Sequence, residues 1–136
     1  MKAIWYWVPT LAWMGLIFYF SSRMRVQVSD VFAVQFLIFK TLHVIEYGTL
    51  YTLTYRSLKN TTLIEGWQVR YHAFMIALLY GMSDEIHQVF VPTREGHIRD
   101  VIIDGLGITI AFFYLWKYLP QAPKKLKNLA KKLDIL

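Results

Sequence analysis

The stretch Met82–Asp104, MSDEIHQVFVPTREGHIRDVIID, places five carboxylates, two arginines and two histidines within 23 consecutive positions. The chain on either side is almost wholly apolar, from Ala73 to Gly81 before it and from Gly105 to Trp116 after it. The fold depends on whether these charges coat a wet surface or line the interior of a membrane bundle.

Composition favours the bundle. The 136 residues fit one domain, and 56% are hydrophobic and 17% aromatic, above the roughly 45–50% apolar share of soluble domains. Four segments carry the excess: Ile4–Phe20, Val31–Tyr55, Tyr71–Phe90 and Val101–Leu119. A helix needs about 20 mostly apolar residues to cross a hydrocarbon core of roughly 30 Å, and each segment approaches that length. The first, IWYWVPTLAWMGLIFYF, contains no charge, and membrane helices tolerate a kink such as Pro9 would cause. No A-x-A-like cleavage site follows it, so it is expected to remain in the mature protein. The alternative, a soluble buried bundle, has too little polar sequence to coat it. The expected fold is therefore all-α, with four transmembrane helices in a domain spanning 1–119 and a basic tail at 120–136.

The formal charge of +6 does not indicate nucleic acid. Lys117, Lys124, Lys125, Lys127, Lys131 and Lys132 lie in the tail region, and the other nine basic residues nearly balance the eight acidic ones before Asp134. In APKKLKNLAKKLDIL, Leu126, Leu129, Ala130 and Leu133 follow helical spacing, as in an amphipathic helix on an anionic leaflet; a disordered tail is the alternative. With no cysteine, disulfides, thiolate metal sites and a cysteine nucleophile are excluded.

Lys and Arg accumulate on cytoplasmic loops. Lys2, Arg56, Lys59, Arg70 and the tail lysines share one side of a four-span chain, against Arg23, Arg25, Arg94 and Arg99 on the other. Both termini are thus expected in the cytoplasm, with loops 21–30 and 91–100 outside. At about 1.5 Å per residue from the outer ends, Lys40 lies about 13 Å deep, His43 about 18 Å, Asp84 about 9 Å and Asp104 about 5 to 6 Å. The second, third and fourth spans therefore bring polar groups into one outward-facing half. Intramembrane ionisable residues face the bundle interior, where they serve function or pair with one another.

Helical phase groups them further. Lys40, His43 and Tyr47 fall within a sector of about 60°, continued by Tyr51. Asp84 and Gln88 share a stripe, as do Asp100 and Asp104. The Asp84 stripe runs back through Gly81, Ala77 and Ala73, and the Asp104 stripe runs on through Gly107 and Ala111. Small residues at this spacing allow close helix approach, so the third and fourth helices are expected to meet along these seams. Pro92 fits the turn between them.

The patterns KTLHVIEYGTL at 40–50 and SDEIHQVFVPTREGHIRDVIIDGLG at 83–107, with FYFSS at 18–22, resemble the VanZ-like membrane proteins over most of the chain up to about residue 115. The resemblance implies a small polytopic membrane protein of bacteria or archaea, in a family named for a member that gives low-level teicoplanin resistance. Its recurring polar positions fall here on Lys40, His43, Glu46, Tyr47, Asp84, Glu85, Gln88, Arg94 and Asp100. At position 104 the family usually has Asn, and this chain has Asp, an extra negative charge that would favour a cation.

Four readings of this constellation stand side by side: an enzyme, a non-catalytic binding site for a glycopeptide, peptidoglycan precursor or lipid headgroup, a transporter or proton-coupled carrier, and structural ion pairs. As a site, Asp84, Glu85, His43 and Asp100 are the candidates for acid–base catalysis. Lys40, Tyr47, Gln88, Arg94 and Asp104 are the candidates for binding substrate. Oxygen-rich clusters of this kind also suit Mg²⁺, although no spaced metal motif is present. The expected partners are membrane lipids, lipid-linked envelope precursors or a glycopeptide. As structure, Lys40 would pair with Asp84 or Glu85, and Arg94 or Arg99 with Asp100, fixing helix register. Other residues have plainer expected roles: His72 at the cytoplasmic interface, His87 and His97 as non-ligands, Trp5, Tyr6 and Trp7 in an aromatic belt, and Ser21 and Ser22 as helix-end caps.

The topology predicts that single cysteines placed at positions 25 and 95 react with a membrane-impermeant thiol reagent added outside intact cells, whereas those at 60 and 130 do not. Labelling of position 60 from outside would overturn it.

Overall fold

The computed structural model describes residues 2–23, 30–94 and 96–136. Arg25 and position 95 lie outside them. Among the described residues all regular structure is helical: α1 (Lys2–Ser21), α2 (Phe32–Thr61), α3 (Trp67–Gln88), α4 (Ile98–Phe113) and α5 (Lys124–Lys132). Past Phe113, α4 continues through a π-helical turn, Tyr114–Tyr118, into a 3₁₀ turn, Leu119–Gln121.

Helix α1 runs unbroken through Pro9. By length and composition its segment Ala3–Ser21 is the one described helix apolar enough to cross a membrane. The other long helices are interrupted by ionisable residues: Lys40 and Glu46 in α2, Asp84 and Glu85 in α3, Asp100 and Asp104 in α4. These polar groups are not spread over the surface. Asp84, Glu85, Gln88, Asp100 and Asp104 are buried, whereas Leu37, Leu42, Ile45, Leu79, Ile86, Ile102, Leu106 and Ile110 of the same helices are exposed.

Helix α2 is longer than its apolar run, extending to Thr61. Its last turns are held by the chain's C-terminal segment: Arg56 Nε donates to the Leu133 carbonyl at 2.6 Å, Asn60 to that of Asp134 at 2.9 Å and Lys59 to that of Ile135 at 3.3 Å. The segment 120–136 therefore carries the helix α5, Lys124–Lys132, whose following residues dock on the end of α2, and is not a disordered tail. Ala130 of α5 is buried, while Leu126, Leu129 and Leu133 stay exposed. Tyr6 and Trp7 also turn inward, to Asp134 Oδ2 at 3.4 Å and Thr61 Oγ1 at 3.1 Å. Of the three residues expected in the aromatic belt, Trp5 is the strongly exposed one.

Helix α1 lies antiparallel to α2, as Trp13 reaches the Glu46 carbonyl while Thr10 and Ser57 share a hydrogen bond further along. Helices α2 and α4 run parallel, with Lys40 opposite Asp100, His43 opposite Asp104 and Tyr51 against Phe112. Glycine makes this pairing close. A Cβ on Gly107 would stand 2.4 Å from the Val44 carbonyl oxygen, and one on Gly48 would stand 3.2 Å from that of Gly107 and 3.7 Å from Ala111 Cβ. The Gly107–Ala111 seam therefore packs on α2 and not on α3, as its spacing had suggested. Spacing identifies a face that permits close approach but does not name the helix that uses it. The α3 seam behaves differently: Ala73 and Ala77 are fully buried, and Gly81 faces the Tyr47 ring and Asp104.

Gly107→Ala must push α2 and α4 apart at a backbone contact, so it should lower stability by about 1–3 kcal/mol. Gly15→Ala, with nothing within 4 Å of the added methyl, should be neutral or stabilising by up to about 1 kcal/mol. Thermal unfolding of the two variants in detergent tests the pair, and equal melting would refute the close-contact account.

Candidate functional site

Three helix ends and one turn build the site. Helix α3 ends at Gln88, and the chain turns through Val91 and Thr93, where the Gln88 and Val91 carbonyls accept from the Val91 and Arg94 amides. Thr93 takes φ 68°, a left-handed conformation seldom adopted by β-branched residues. The turn then folds back on α3 so closely that a Cβ on Gly96 would lie 2.4 Å from the Glu85 carbonyl. This return brings the His97 amide to Glu85 Oε2 at 3.0 Å. Helix α4 follows directly, with Asp100 in its first turn.

Between the start of α2, the turn and the start of α4 lies a cavity of about 250 Å³, lined by Phe32, Phe36, Phe39, Lys40, His43 and Gln88 on one side and by Arg94, His97, Arg99 and Asp100 on the other. Lys40 Nζ is 2.6 Å from Asp100 Oδ1, and Arg99 Nε approaches the same oxygen at 3.5 Å. Both cations also lie over the Phe36 ring, at 5.5 and 5.2 Å from its centroid. The expected pairing of Lys40 with Asp84 or Glu85 is thus replaced by pairing with Asp100, because the parallel α2–α4 register puts Asp100 opposite Lys40. The Arg99–Asp100 pair forms as the structural reading expected.

A second layer lies behind the cavity wall. His43 Nδ1 is 2.8 Å from Asp104 Oδ1, and the His43 and Tyr47 rings stack at 6.4 Å. Asp84 accepts from Ser21 Oγ at 2.6 Å and from Gln88 Nε2 at 2.9 Å. The chain is thereby closed at this end, since Ser21 is the last residue of α1. Arg94 ties the same region together by donating to the Phe20 and Arg23 carbonyls at 2.8 and 2.9 Å and to Gln88 Oε1 at 3.4 Å. Tyr47 Oη, Glu85 Oε1 and Asp104 Oδ2 are buried with no hydrogen-bond partner among the described residues.

Of the residues selected from sequence, Lys40, His43, Gln88, Arg94 and Asp100 line the cavity, and Tyr47, Asp84, Glu85 and Asp104 form the layer behind it. Sequence reasoning missed Ser21 as the partner of Asp84, because the two lie 63 residues apart. It also missed the three phenylalanines, whose apolar character gave no signal beyond that of a span. His97, set aside as a loop residue, lines the cavity. His87 meets Ser22 Oγ at 3.0 Å outside it.

These features define a helical bundle whose polar groups are gathered inside one end. The chain belongs to the VanZ/LLP1 family, whose model matches residues 6–119. No curated protein and no solved structure matches it.

Removing Lys40 takes the nearer of two cations from a mostly buried carboxylate and leaves it only the exposed Arg99 at 3.5 Å. Lys40→Met should therefore cost somewhat under about 3 kcal/mol, the lower end for buried pairs. Lys40→Met combined with Asp100→Asn should recover at least half of that loss. Additive losses in chemical or thermal unfolding would show that the two residues do not stabilise each other.

Proposed function

We propose that this protein is an integral membrane bundle of four spanning helices with both termini cytoplasmic, and that its cavity opens toward the outer leaflet to bind an anionic headgroup. The ligand class is a lipid-linked phosphate or a cell-envelope precursor headgroup. One observation carries this reading: the cavity wall joins three phenylalanines to Lys40, Arg94 and Arg99. An aromatic wall suits the start of an acyl or prenyl chain, and the cations suit the phosphate next to it. Lys40 and Arg99 converge on a single Asp100 oxygen, so an arriving phosphate would share cations already held in place and need not order them.

The membrane part rests on the distribution of polarity. Apolar side chains of α2, α3 and α4 point outward while the carboxylates of α3 and α4 are buried, the arrangement expected where lipid replaces water as the surrounding medium. The family's link to teicoplanin resistance agrees with a ligand drawn from envelope chemistry, or with the glycopeptide itself.

A structural reading is favoured by the Lys40–Asp100 and His43–Asp104 pairs at 2.6 and 2.8 Å. On that reading the charges fix the register of α2 and α4 and bind nothing. Ligand titration separates the two, using purified protein in detergent with a long-chain lipid phosphate, a precursor headgroup and a glycopeptide as probes. Headgroup binding should raise the unfolding temperature, and Arg99→Gln, at an exposed residue of the cavity mouth, should weaken affinity about tenfold, or about 1.4 kcal/mol. If no probe shifts unfolding, or if the variant binds as the wild type does, the headgroup reading fails and the structural one stands.

A further inference from the structure

The layer behind the cavity holds more negative charge than its own cations neutralise. Among the described residues no Lys or Arg forms an ion pair with Asp84, Glu85 or Asp104; Lys40 and Arg99 go to Asp100, and Arg94 donates to the Phe20 and Arg23 carbonyls. The hydroxyl of Ser21 and the amide of Gln88 satisfy Asp84. Glu85 and Asp104 each keep one oxygen engaged, by the His97 amide and by His43, and one oxygen buried without a partner. A buried carboxylate oxygen left without partner or counter-charge is costly. Two such oxygens lie beside one imidazole, and His43, Glu85 and Asp104 each offer a ligand atom within 4.8 Å of the other two.

We propose that His43, Glu85 and Asp104 bind a divalent cation of the zinc class at the inner end of the cavity. In a tetrahedral shell with bonds of about 2.1 Å, ligand atoms stand about 3.4 Å apart. The three atoms therefore need to draw in by little more than about 1 Å, within the reach of side-chain rotation about χ1 and χ2. The donor set chooses the ion. Mg²⁺ favours an all-oxygen octahedral shell and gives up its waters reluctantly, whereas one imidazole with two carboxylates suits Zn²⁺ and its first-row neighbours. Three protein ligands also leave a coordination position open, as in zinc sites that bind a water or a substrate oxygen. His43 belongs to both the cavity wall and the ligand set, so an exchangeable ligand could reach that position from the cavity. The cation supplies the positive charge that the two unpartnered oxygens lack. This inference adds to the headgroup reading without depending on it.

The test is a Zn²⁺ titration by calorimetry on the full chain, purified in detergent, stripped with a chelator and free of added lipid. Expected is one Zn²⁺ per chain, with Mg²⁺ bound at least a hundredfold more weakly. Asp104→Asn and Glu85→Gln should each lower zinc affinity at least tenfold, while Asp134→Asn at the far end should leave it unchanged. Glu85→Gln removes a buried charge with little change of shape, so the stripped variant should unfold no earlier than stripped wild type, whereas Asp104→Asn also gives up the charge facing His43 and is compared with wild type by its zinc affinity. Should either fail to fold, X-ray absorption at the zinc edge of the wild type decides alone. One imidazole and otherwise oxygen neighbours support the site, and any other count overturns it. Binding below stoichiometry, or equal affinity in wild type and both variants, also overturns it. Because no lipid is present, such a failure leaves headgroup binding to its own titration.

Discussion

The close parallel approach of α2 and α4 at Gly107 is the constraint on which the rest of the structure depends. With no side chain at 107, the Val44 carbonyl comes within a distance no Cβ would allow. Once the backbones touch there, the helical repeat fixes what lies above and below. Toward the N-terminal ends of α2 and α4, His43 meets Asp104 and Lys40 meets Asp100. Toward the other end, Tyr51 meets Phe112, which also packs edge-on against Trp67. A bulkier residue at 107 would widen the gap along the whole seam, and each pair would lose contact in proportion to its short reach. The charged pairs are therefore a consequence of packing as much as a cause of it.

The polar groups so gathered are layered by how well they are satisfied. At the mouth, charges are paired and partly wet. One layer in, Asp84 accepts hydrogen bonds from α1 and from its own helix, and in doing so fastens the end of α1 to α3. At the same depth Glu85 and Asp104 remain half satisfied. Helical bundles seldom retain such groups without a use for them. The polar end thus runs from a paired mouth to an unsatisfied interior.

Much of this was legible in the sequence, and the rest was hidden for identifiable reasons. The all-helical character followed from four long apolar runs, and the gathering of polar residues from their phase along each helix: Lys40, His43 and Tyr47 do share a face. Periodicity acts within one helix, however, and is silent on which helix lies opposite. That is why Lys40 was assigned to Asp84 or Glu85 when its partner is Asp100, and why the Gly107 seam was assigned to α3 when it packs on α2. Ser21 and Ser22 do bond the Phe18 carbonyl in the last turn of α1, as helix-end serines are expected to, but the second partner of Ser21, Asp84, is hidden for a related reason, since it lies 63 residues away. The C-terminal helix is legible in the spacing of Leu126, Leu129, Ala130 and Leu133, but its docking on α2 is not, because backbone carbonyls of Leu133, Asp134 and Ile135 hold it and no residue type advertises its own carbonyl.

The parallel register of α2 and α4 also has an electrostatic result that formal charges conceal. Each helix carries a partial positive charge of about half a unit at its N-terminus, and two N-termini flank the same cavity, represented in its wall by Phe32 of α2 and by His97 and Arg99 at the start of α4. The opposing negative end of α1 is covered by Arg94, which takes up the carbonyls of Phe20 and Arg23. Asp100, in the first turn of α4, offsets part of the remaining field. The C-terminus of α3, at Gln88, faces the same cavity with a negative end of like size, so the macrodipoles largely cancel there and the positive potential at the mouth rests on the side chains of Lys40, Arg94 and Arg99.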